Sequence, residues 1–428
     1  MDVAFVVQRY GAEVAGGAEA LCRDTARALV RAGESVTVFT TTARDYLAWD
    51  PFYPEGVSDD DGVEVRRFAV DPPNPQRSAD LVRHLGLAPG DPVREAEWAM
   101  AQGPVSRDML AALSTALGSR SGGSQRDGTH DVVACWTYLY ATSQLAMPLV
   151  RDRAVLVPLA HEEPMLRFTL TRGVIRMAKA LAFMTPEERQ LVVDTAGVHD
   201  TPGVVVGAGL DPSPDGDAER ARRRWALPLR FALYLGRVDA AKGVEGLIRA
   251  HRGYVEQAIR DAGDADTGAG GDRARGNRAR GGGSDGRTAP PGTLGLLLAG
   301  REAPGMDIPP WVTTTGFITD EERADLLAAA EVVVLPSPYE SLSLVALEAW
   351  RARRPTLGYA RAQVVAGQTA RSGGGLLYTG PDTYARQLAR LAANPAERQA
   401  MGESGRAFAG TWTWDACVDR WREVLALA

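Results

Sequence analysis

Cysteine and histidine are scarce in this sequence, and their spacing excludes two kinds of site. Only three cysteines, Cys22, Cys135 and Cys417, and five histidines occur among 428 residues. The cysteines lie far apart and are odd in number, so neither a disulfide framework nor a zinc site is predicted. The histidines are scattered and form no cluster of metal ligands. We therefore expect reduced thiols, no bound metal and no resident cofactor.

Long apolar runs and an excess of basic residues are also lacking. No window approaches the roughly 20 apolar residues that a membrane-spanning helix needs. Residues 1–7 are too short a run, and too acidic at their start, for a signal peptide. The formal net charge of -6 gives no indication of a nucleic-acid partner. These absences predict a cytoplasmic protein that at most touches the inner face of a membrane and binds no nucleic acid.

What is present is an alternation of strand and helix patterns in both halves of the chain. An apolar run at residues 3–8 is followed by a glycine-rich loop, a helical pattern at 17–32 and a second apolar run at 36–40. This order predicts a βαβ unit and hence a parallel sheet. The second half repeats the pattern with strands at 231–235, 294–299 and 332–335 and helices at 322–330 and 342–353.

Length and composition predict two domains of α/β class. Hydrophobic residues make up 45% of the chain, enough for two cores in 428 residues. We expect two Rossmann-like domains, an N-terminal one at 1–210 and a C-terminal one at 211–410. Residues 261–292 are mostly Gly, Asp, Arg, Ala and Ser. Because such a composition cannot build a core, we expect a disordered surface insertion there.

The strongest functional motif surrounds Glu340 and Glu348. A predicted strand ends at Leu335, and a helix is predicted to begin near Leu342. The free N–H groups at a helix start, here near residues 342–344, form an anion site suited to a diphosphate. Glu340 would accept hydrogen bonds from sugar hydroxyls, and Glu348 would bind ribose hydroxyls. Two surface glutamates flanking an apolar helix would give the same pattern.

A second motif, at Gly236, Arg237 and Lys242, also follows a predicted strand. Gly236 would allow a sharp turn, and the two cations would neutralise a leaving diphosphate. The alternative is an ordinary βα loop with solvated charges.

Two weaker motifs lie in the first half of the chain. Gly16 and Gly17 separate the first strand from the first helix and would let the backbone approach a ligand. A plain tight turn would look the same, and the pattern is not a dinucleotide-binding fingerprint. His161 follows another strand and could donate to a sugar or phosphate, although a lone histidine is commonly structural.

Together these motifs resemble glycosyltransferase family 4, a retaining family with the GT-B architecture of two facing Rossmann-like domains. The resemblance covers nearly the whole chain apart from 261–292. It implies that Arg237 and Lys242 contact the donor diphosphate and that Glu340 contacts the hexose and Glu348 the ribose. Further implied contacts with the donor come from a larger set of residues: Gly16, Gly17, His161, Gly236, Leu342, Ser343 and Leu344.

The resemblance also implies the reaction and its partners. A hexose would move from a UDP- or GDP-linked donor to a hydroxyl acceptor, either a glycan, a lipid-linked sugar or a small molecule. No protein nucleophile is assigned, and the leaving phosphate would take the acceptor proton. The C-terminal segment, which begins with Thr411 and Trp412, resembles the family's helix that crosses back to the first domain.

The acceptor is expected to bind the first domain, where aromatic residues around Trp98 and from Trp136 to Tyr140 could stack on sugar rings or pack in the core. A basic stretch contains Arg167, Arg172, Arg176 and Lys179. This stretch would contact anionic lipid heads if the acceptor is lipid-linked, or it is a solvated helix face.

This sequence departs from the family pattern at two places. Ser343 replaces a glycine, and Arg351, Arg353 and Arg354 replace small residues beyond the second glutamate. Two other functions share the architecture, a nucleotide-sugar epimerase and a non-catalytic nucleotide-sugar-binding protein. An epimerase normally lacks the combined Arg237, Lys242 and paired-glutamate pattern.

Overall fold

The computed structural model describes residues 1–14, 16–46, 48–72, 74–87, 90–116, 130–268 and 290–428. The chain divides into two compact units, one formed by Met1–Gly209 with Trp412–Ala428 and the other by Leu210–Thr411. Each unit contains a sheet with helices on it, and each is an α/β layer structure.

Residues 1–209 form the following strands and helices of the first unit. The strands are β1 (Asp2–Val6), β2 (Ser35–Thr41), β3 (Gly56–Asp60), β4 (Val63–Phe68), β5 (Val132–Trp136), β6 (Ala154–Val157), β7 (Ala180–Phe183) and β8 (Gly203–Val205). The helices are α1 (Gly17–Arg31), α2 (Pro75–Leu87), α3 (Pro92–Gln102), α4 (Arg107–Ala116), α5 (Ala141–Val150), α6 (Thr169–Arg176) and α7 (Pro186–Ala196).

The remaining elements follow from residue 210 onward. The strands are β9 (Phe231–Leu235), β10 (Gly295–Ala299), β11 (Thr313–Thr314), β12 (Val332–Leu335), β13 (Thr356–Tyr359) and β14 (Gly375–Tyr378). The helices are α8 (Ala218–Arg224), α9 (Val244–Gly268), α10 (Asp320–Ala329), α11 (Leu344–Arg351), α12 (Gln363–Ser372), α13 (Pro381–Ala393), α14 (Pro395–Ala409) and α15 (Trp414–Leu425).

The sheet of the first unit has the order β3-β4-β2-β1-β5-β6-β7-β8, and every neighbouring pair except β3–β4 is parallel. Its central strands are fully apolar runs because helices cover both faces of a parallel sheet. The predicted βαβ start is confirmed, with Val3 registered against Val36 in β2 and Val132 in β5.

Helix α15 belongs to the first unit and completes its core. The side chain of Trp421 is fully buried, and its ring stacks on Trp136 at a centroid distance of 5.6 Å. Arg422 Nε donates a hydrogen bond of 2.8 Å to Oε1 of Glu34, a residue that follows the end of α1. The predicted return of the C-terminal helix to the first domain is therefore confirmed.

The sheet of the second unit has the order β11-β10-β9-β12-β13-β14, and all its neighbouring strands are parallel. Beginning at β9, the chain first builds β10 and β11 on one side and then crosses to build β12, β13 and β14 on the other. The strand order thus reverses between β9 and β12. In such sheets, ligands bind outside the carboxyl ends of the strands at that reversal.

The expected insertion differs from the structure at its start. Helix α9 continues to Gly268, so residues 261–268 are helical rather than irregular. The three aspartates, two glycines and one threonine of this stretch are weak helix formers. The stretch therefore extends a helix that begins at Val244, and such extension, which the prediction from composition did not weigh, costs less than starting a new helix. The following residues 269–289 lie outside the described part of the chain.

Candidate functional site

Two loops meet at the carboxyl ends of β9 and β12, where the strand order reverses. The first loop leads from Leu235 to α9, and the second leads from Leu335 to α11. Their backbones touch so closely that a Cβ on Gly243 would lie 2.5 Å from the carbonyl oxygen of Pro336. Gly243 also has a φ of +75°, so glycine is required on both grounds. This contact brings the two strongest sequence motifs together.

Lys242 and Glu340 form an ion pair across the two loops. Lys242 Nζ lies 3.0 Å from Glu340 Oε1, and the side chains are 33% and 19% exposed. Both groups therefore remain accessible to a ligand. The sequence predicts separate ligands for these residues, phosphate for the lysine and sugar for the glutamate. In the structure, each group is held in place by the other.

Asp239 fixes the shape of the first loop. Its Oδ1 accepts the backbone N–H of Lys242 at 2.8 Å, and its Oδ2 lies 3.3 Å from Nη2 of Arg237. Gly236 begins the turn with a φ of +137°. Tyr234 donates its hydroxyl to the carbonyl of Arg237 at 2.6 Å. The two cations of the motif are thus presented from one braced loop.

The helix start near Glu340 differs from the prediction in two ways. Helix α11 begins at Leu344 with Ser343 as its N-cap, rather than near Leu342. The N–H of Ser343 already donates to Oε1 of buried Gln368 at 3.1 Å, so this amide is not available to a diphosphate. Helix geometry leaves the next three N–H groups, from Leu344 to Ala346, without intrahelical acceptors. The free N–H groups of this helix therefore begin at Leu344, two residues after the predicted start.

Glu348 lies on α11 and pairs with Arg323 of α10. Arg323 Nη1 donates to Glu348 Oε1 at 2.7 Å, and Arg323 Nη2 donates to Asp320 at 2.7 Å. Burial raises the pKa of the Glu348 carboxyl, and the Arg323 charge acts in the opposite direction. A nucleotide that binds Glu348 would therefore meet an oriented carboxylate together with a guanidinium.

In the first unit, Gly16 lies against a buried ion pair. Glu19 Oε1 accepts hydrogen bonds from Arg9 and from Gln8 Nε2, and the Arg9 and Glu19 side chains are each 5% exposed. A Cβ on Gly16 would lie 2.1 Å from Glu19 Oε2, whereas a Cβ on Gly17 would meet nothing within 4 Å. Only Gly16 is required by its surroundings. Its role toward a donor stays a prediction.

His161 lies in the loop after β6 with a half-buried side chain. Its Nδ1 is 3.6 Å from Glu163 Oε2, and Glu163 Oε1 accepts a hydrogen bond of 2.5 Å from the hydroxyl of Tyr138. The imidazole therefore lies beside a carboxylate, an arrangement that would orient a proton donor.

Glu188 of α7 holds the same loop through a hydrogen bond to its backbone. Its fully buried carboxyl accepts the backbone N–H of Ala160 at 2.7 Å and that of Met184 at 2.5 Å. Burial raises the pKa of Glu188 to about 8, while the hydrogen bonds from Met184 and Ala160 act in the opposite direction. The loop also contains Leu159 with a φ of +52°. Glu188 thus ties the loops after β6 and β7 to one group.

Three of the aromatic residues considered for acceptor stacking belong to the core, whereas Tyr140 is half-buried. Trp98, Trp136 and Tyr138 are all buried. Trp98 makes a T-shaped contact with Phe168 at a centroid distance of 5.3 Å. Core packing, one of the two alternatives, therefore accounts for all three.

The basic stretch at α6 contains side chains with partners within the protein. Arg167 Nη2 donates to Glu162 Oε1 at 2.8 Å, and Arg176 Nε donates to the carbonyl of Ala196 at 2.7 Å. Contact with anionic lipid stays a prediction. Among the described residues, no helix has the length and apolar content needed to cross a membrane.

Four residues that organise the site were not found from the sequence: Asp239, Arg323, Gln368 and Glu188. One signal was available for Glu188, because a threonine three residues before a glutamate is typical of a helix start. Thr185 indeed caps α7 by accepting the N–H of Glu188. Within the described part of the chain, no group of three or more His, Cys, Asp or Glu side chains could hold a metal ion.

Comparison with known families and relatives bears on this geometry. Residues 304–408 match the family described as "Glycosyl transferases group 1". D-inositol 3-phosphate glycosyltransferase of Kineococcus radiotolerans is 31% identical over 278 residues, which are 61% of this chain and 60% of the relative. The protein of the same name from Streptosporangium roseum is 28% identical over 85% of this chain and 84% of its own length.

Two solved structures resemble the whole chain in fold. Sucrose-phosphate synthase from Thermosynechococcus elongatus has a TM-score of 0.68 at 18% identity, covering 100% of this chain and 99% of its own. HepE from Anabaena in complex with UDP has a TM-score of 0.63 at 14% identity, covering 100% of both chains. The expected GT-B fold class is confirmed, as is the resemblance to glycosyltransferases.

Proposed function

We propose that this chain, which is similar to the group 1 glycosyl transferases, moves a hexose from a UDP- or GDP-linked donor to a hydroxyl acceptor with retention of configuration. The acceptor class remains a glycan, a lipid-linked sugar or a small molecule. The observation that carries the proposal is the contact between Lys242 and Glu340 at the strand-order reversal. A cation for phosphate and a carboxylate for sugar hydroxyls therefore lie side by side, as the directly bonded phosphate and hexose of a nucleotide sugar require.

The proposed chemistry needs charge stabilisation and positioning rather than a protein nucleophile. The bond between the anomeric carbon and the diphosphate breaks, and the acceptor oxygen forms a bond to that carbon on the same face. The diphosphate leaves with the bonding electron pair and takes the acceptor proton. Arg237, Lys242 and the free N–H groups at the start of α11 stabilise the growing negative charge.

The surrounding residues have supporting roles in this proposal. Glu340 exchanges part of its contact with Lys242 for hydroxyls of the hexose. Glu348 binds the ribose, with Arg323 holding its carboxylate in place. His161, oriented by Glu163, donates a hydrogen bond to the sugar or phosphate.

The named relatives support this choice of reaction. Two of them are D-inositol 3-phosphate glycosyltransferases, and one solved neighbour is in complex with UDP. The neighbour in complex with UDP favours a nucleoside-diphosphate sugar over other donors. A nucleotide-sugar epimerase has the same general fold, but it does not require an acceptor.

Incubation with a panel of UDP- and GDP-linked hexoses tests the proposal. We expect release of nucleoside diphosphate from one donor, slow with water alone and faster when a pool of hydroxyl acceptors is added. Parallel reactions with excess chelator should run at the same rate, because the site supplies its own positive charge.

Three results would contradict parts of this proposal. Interconversion of free donors without an acceptor would identify an epimerase. Binding without any turnover across donors and acceptors would identify a nucleotide-sugar-binding protein. Inactivation by chelator, reversed only by magnesium or manganese, would exclude the metal-independent mechanism.

Glu348→Gln should weaken nucleotide binding about tenfold, since a hydrogen bond to a charged group contributes roughly 1.5–3 kcal/mol. The reason is the loss of a carboxylate that Arg323 has oriented. Calorimetric titration with UDP and GDP measures the effect. Glu397→Gln is the matched control, since it also removes a carboxylate from a pair with arginine. Equal affinities for the unaltered protein and the Glu348→Gln variant would remove the ribose contact from the proposal.

A further inference from the structure

The arginines that depart from the family pattern form an unusual helix end. Helix α11 closes with the N–H of Arg354 donating to the carbonyl of Ala349 at 2.8 Å. This closure places Arg353 in the left-handed region with a φ of +56°. Glycine is the usual residue at such a position because a side chain is strained there. The chain therefore retains a long cationic side chain where its backbone disfavours one.

Arg353 and Arg354 line a cavity at the opposite ends of the strands from Lys242. The cavity has a volume of about 430 Å³, and Arg353, Arg354 and Arg398 line it together with Glu331 and Glu403. Glu331 immediately precedes β12 and Pro355 immediately precedes β13, so the cavity lies at the amino ends of these strands. The proposed donor loops follow the carboxyl ends. The two sites are therefore separate.

The positive charges in this cavity exceed the negative charges. Glu331 pairs with Arg230 at 2.5 Å and with Arg398 at 3.0 Å, and Glu403 pairs with Arg353 at 2.9 Å. Three guanidinium groups, those of Arg353, Arg354 and Arg398, thus line the cavity with two carboxylates, while Arg230 binds Glu331 from outside the lining. The excess within the lining is one positive charge.

Among the described residues, Arg354 is the guanidinium of this group that forms no ion pair with a carboxylate. Its Nη1 donates to the carbonyl of Ala330 at 3.1 Å, and its Nε is buried without a hydrogen-bond partner among the described residues. Burial lowers the pKa of Arg354, the charge of Glu331 acts in the opposite direction, and the charges of Arg353 and Arg398 lower it further. A bound anion would supply the missing acceptor and relieve this repulsion.

The backbone around the cavity is fixed rather than adaptable. A Cβ on Gly402 of α14 would lie 2.3 Å from the carbonyl oxygen of Arg353, so α14 packs directly on the turn. The first turn of the same helix contributes Pro395 to the lining. The guanidinium groups are therefore held next to the positive end of a helix dipole.

We infer that this cavity binds a phosphate-bearing anion. Guanidinium groups match the geometry of phosphate oxygens, and three of them line one cavity of suitable size. Binding would balance the excess positive charge and account for a strained arginine that ion pairing alone does not require. The inference concerns a site apart from the proposed reaction and does not depend on it.

Thermal unfolding with inorganic phosphate tests the inference. Addition of phosphate should raise the melting temperature of the unaltered protein by several degrees over chloride at equal ionic strength. Arg353→Gly should raise the melting temperature without phosphate, because it relieves the left-handed strain, and should abolish most of the phosphate response. Arg354→Gln should also lose the response. Glycerol 3-phosphate in a second arm distinguishes a phosphomonoester from free phosphate as the better ligand.

Two control variants make the result decisive. Lys242→Ala should keep the phosphate response, because that cation lies at the other edge of the sheet. Arg386→Ala, at an exposed position on α13, should keep it as well. The inference is overturned if neither anion stabilises the unaltered protein, or if the response survives in both Arg353→Gly and Arg354→Gln. Loss of the response in Lys242→Ala alone would assign phosphate to the donor site and would equally overturn it.

Discussion

Lys242→Ala is expected to lower turnover roughly a hundredfold, the loss that follows removal of one preorganised charge partner worth about 3 kcal/mol of barrier. Lys242 is the mobile cation at the strand-order reversal, and its Nζ is 3.0 Å from Glu340. If it contacts the leaving diphosphate, its charge acts most strongly as the glycosidic bond breaks. The loss should therefore appear in kcat more than in KM.

Folding should be affected far less by the same change. The Lys242–Glu340 pair is partly exposed, and such pairs contribute about 0–1 kcal/mol to stability. The melting temperature should thus stay nearly unchanged. Measurement of donor turnover, nucleotide affinity and melting temperature separates these effects. Lys179→Ala, which removes an exposed lysine of the first unit, is the control. Near-normal turnover in Lys242→Ala would show that the diphosphate binds elsewhere.

Glu188→Ala should destabilise the protein by about 3 kcal/mol, because buried N–H groups that lose their acceptor cost roughly 1–3 kcal/mol each. The N–H groups of Ala160 and Met184 would both lose their partner. The melting temperature should fall by roughly 5–10 °C. Turnover should fall as well, since the loop that carries His161 would lose its support. Unfolding monitored by denaturant and by heat measures the first effect.

Glu188→Gln tests the charge of the same group through pH. The folded-state pKa of Glu188, at about 8, lies above its ordinary value of 4.5, so the folded protein retains a proton that the unfolded chain has released. The free energy of unfolding should therefore decrease as pH rises from 4.5 to 8. Glutamine removes this contribution and should flatten the decrease. Glu95→Gln is the control, since Glu95 is also buried and accepts the N–H of Leu170 at 2.8 Å. Identical slopes for the unaltered protein and Glu188→Gln would contradict the assignment.

The positions of the main site residues could be predicted because they depend on local order. A cation or carboxylate that follows a buried strand must lie at the carboxyl edge of a parallel sheet. Arg237, Lys242 and Glu340 all satisfy that condition. Their convergence depends on the pairing of β9 with β12, which the structure shows and the local patterns did not predict. From the sequence, the two motifs were brought together only by the resemblance to glycosyltransferase family 4.

The partners of these residues could not be predicted, since they come from distant parts of the chain. Gln368 reaches the N–H of Ser343 from another helix, and Arg323 reaches Glu348 in the same way. No local pattern marks either residue. The start of α11 was placed too early because apolar Leu342 continues the helical periodicity, whereas Ser343 has non-helical backbone angles.

Hydrophobic patterning did not predict strand β3 and did not decide the role of Trp136. Strand β3 has an exposed, acidic sequence without apolar alternation, and it forms by antiparallel pairing with β4. Its Asp60 holds Arg23 and Arg27 of α1 through ion pairs. For Trp136, apolar character alone did not distinguish a stacking surface from the core. Only the position of Trp421 in the folded chain decided this.

The discontinuous first unit has a consequence for synthesis on the ribosome. Residues 1–209 are translated well before Trp412–Ala428, and the intervening Leu210–Thr411 form the other unit. At about 5–20 residues per second, the nascent first unit waits roughly 10–40 s for α15. During that time Phe5 and Trp136 lack Trp421, against which both rings pack in the finished fold. The second unit can therefore mature on the ribosome before the first, and the uncovered aromatic face is a natural target for chaperones in the interval.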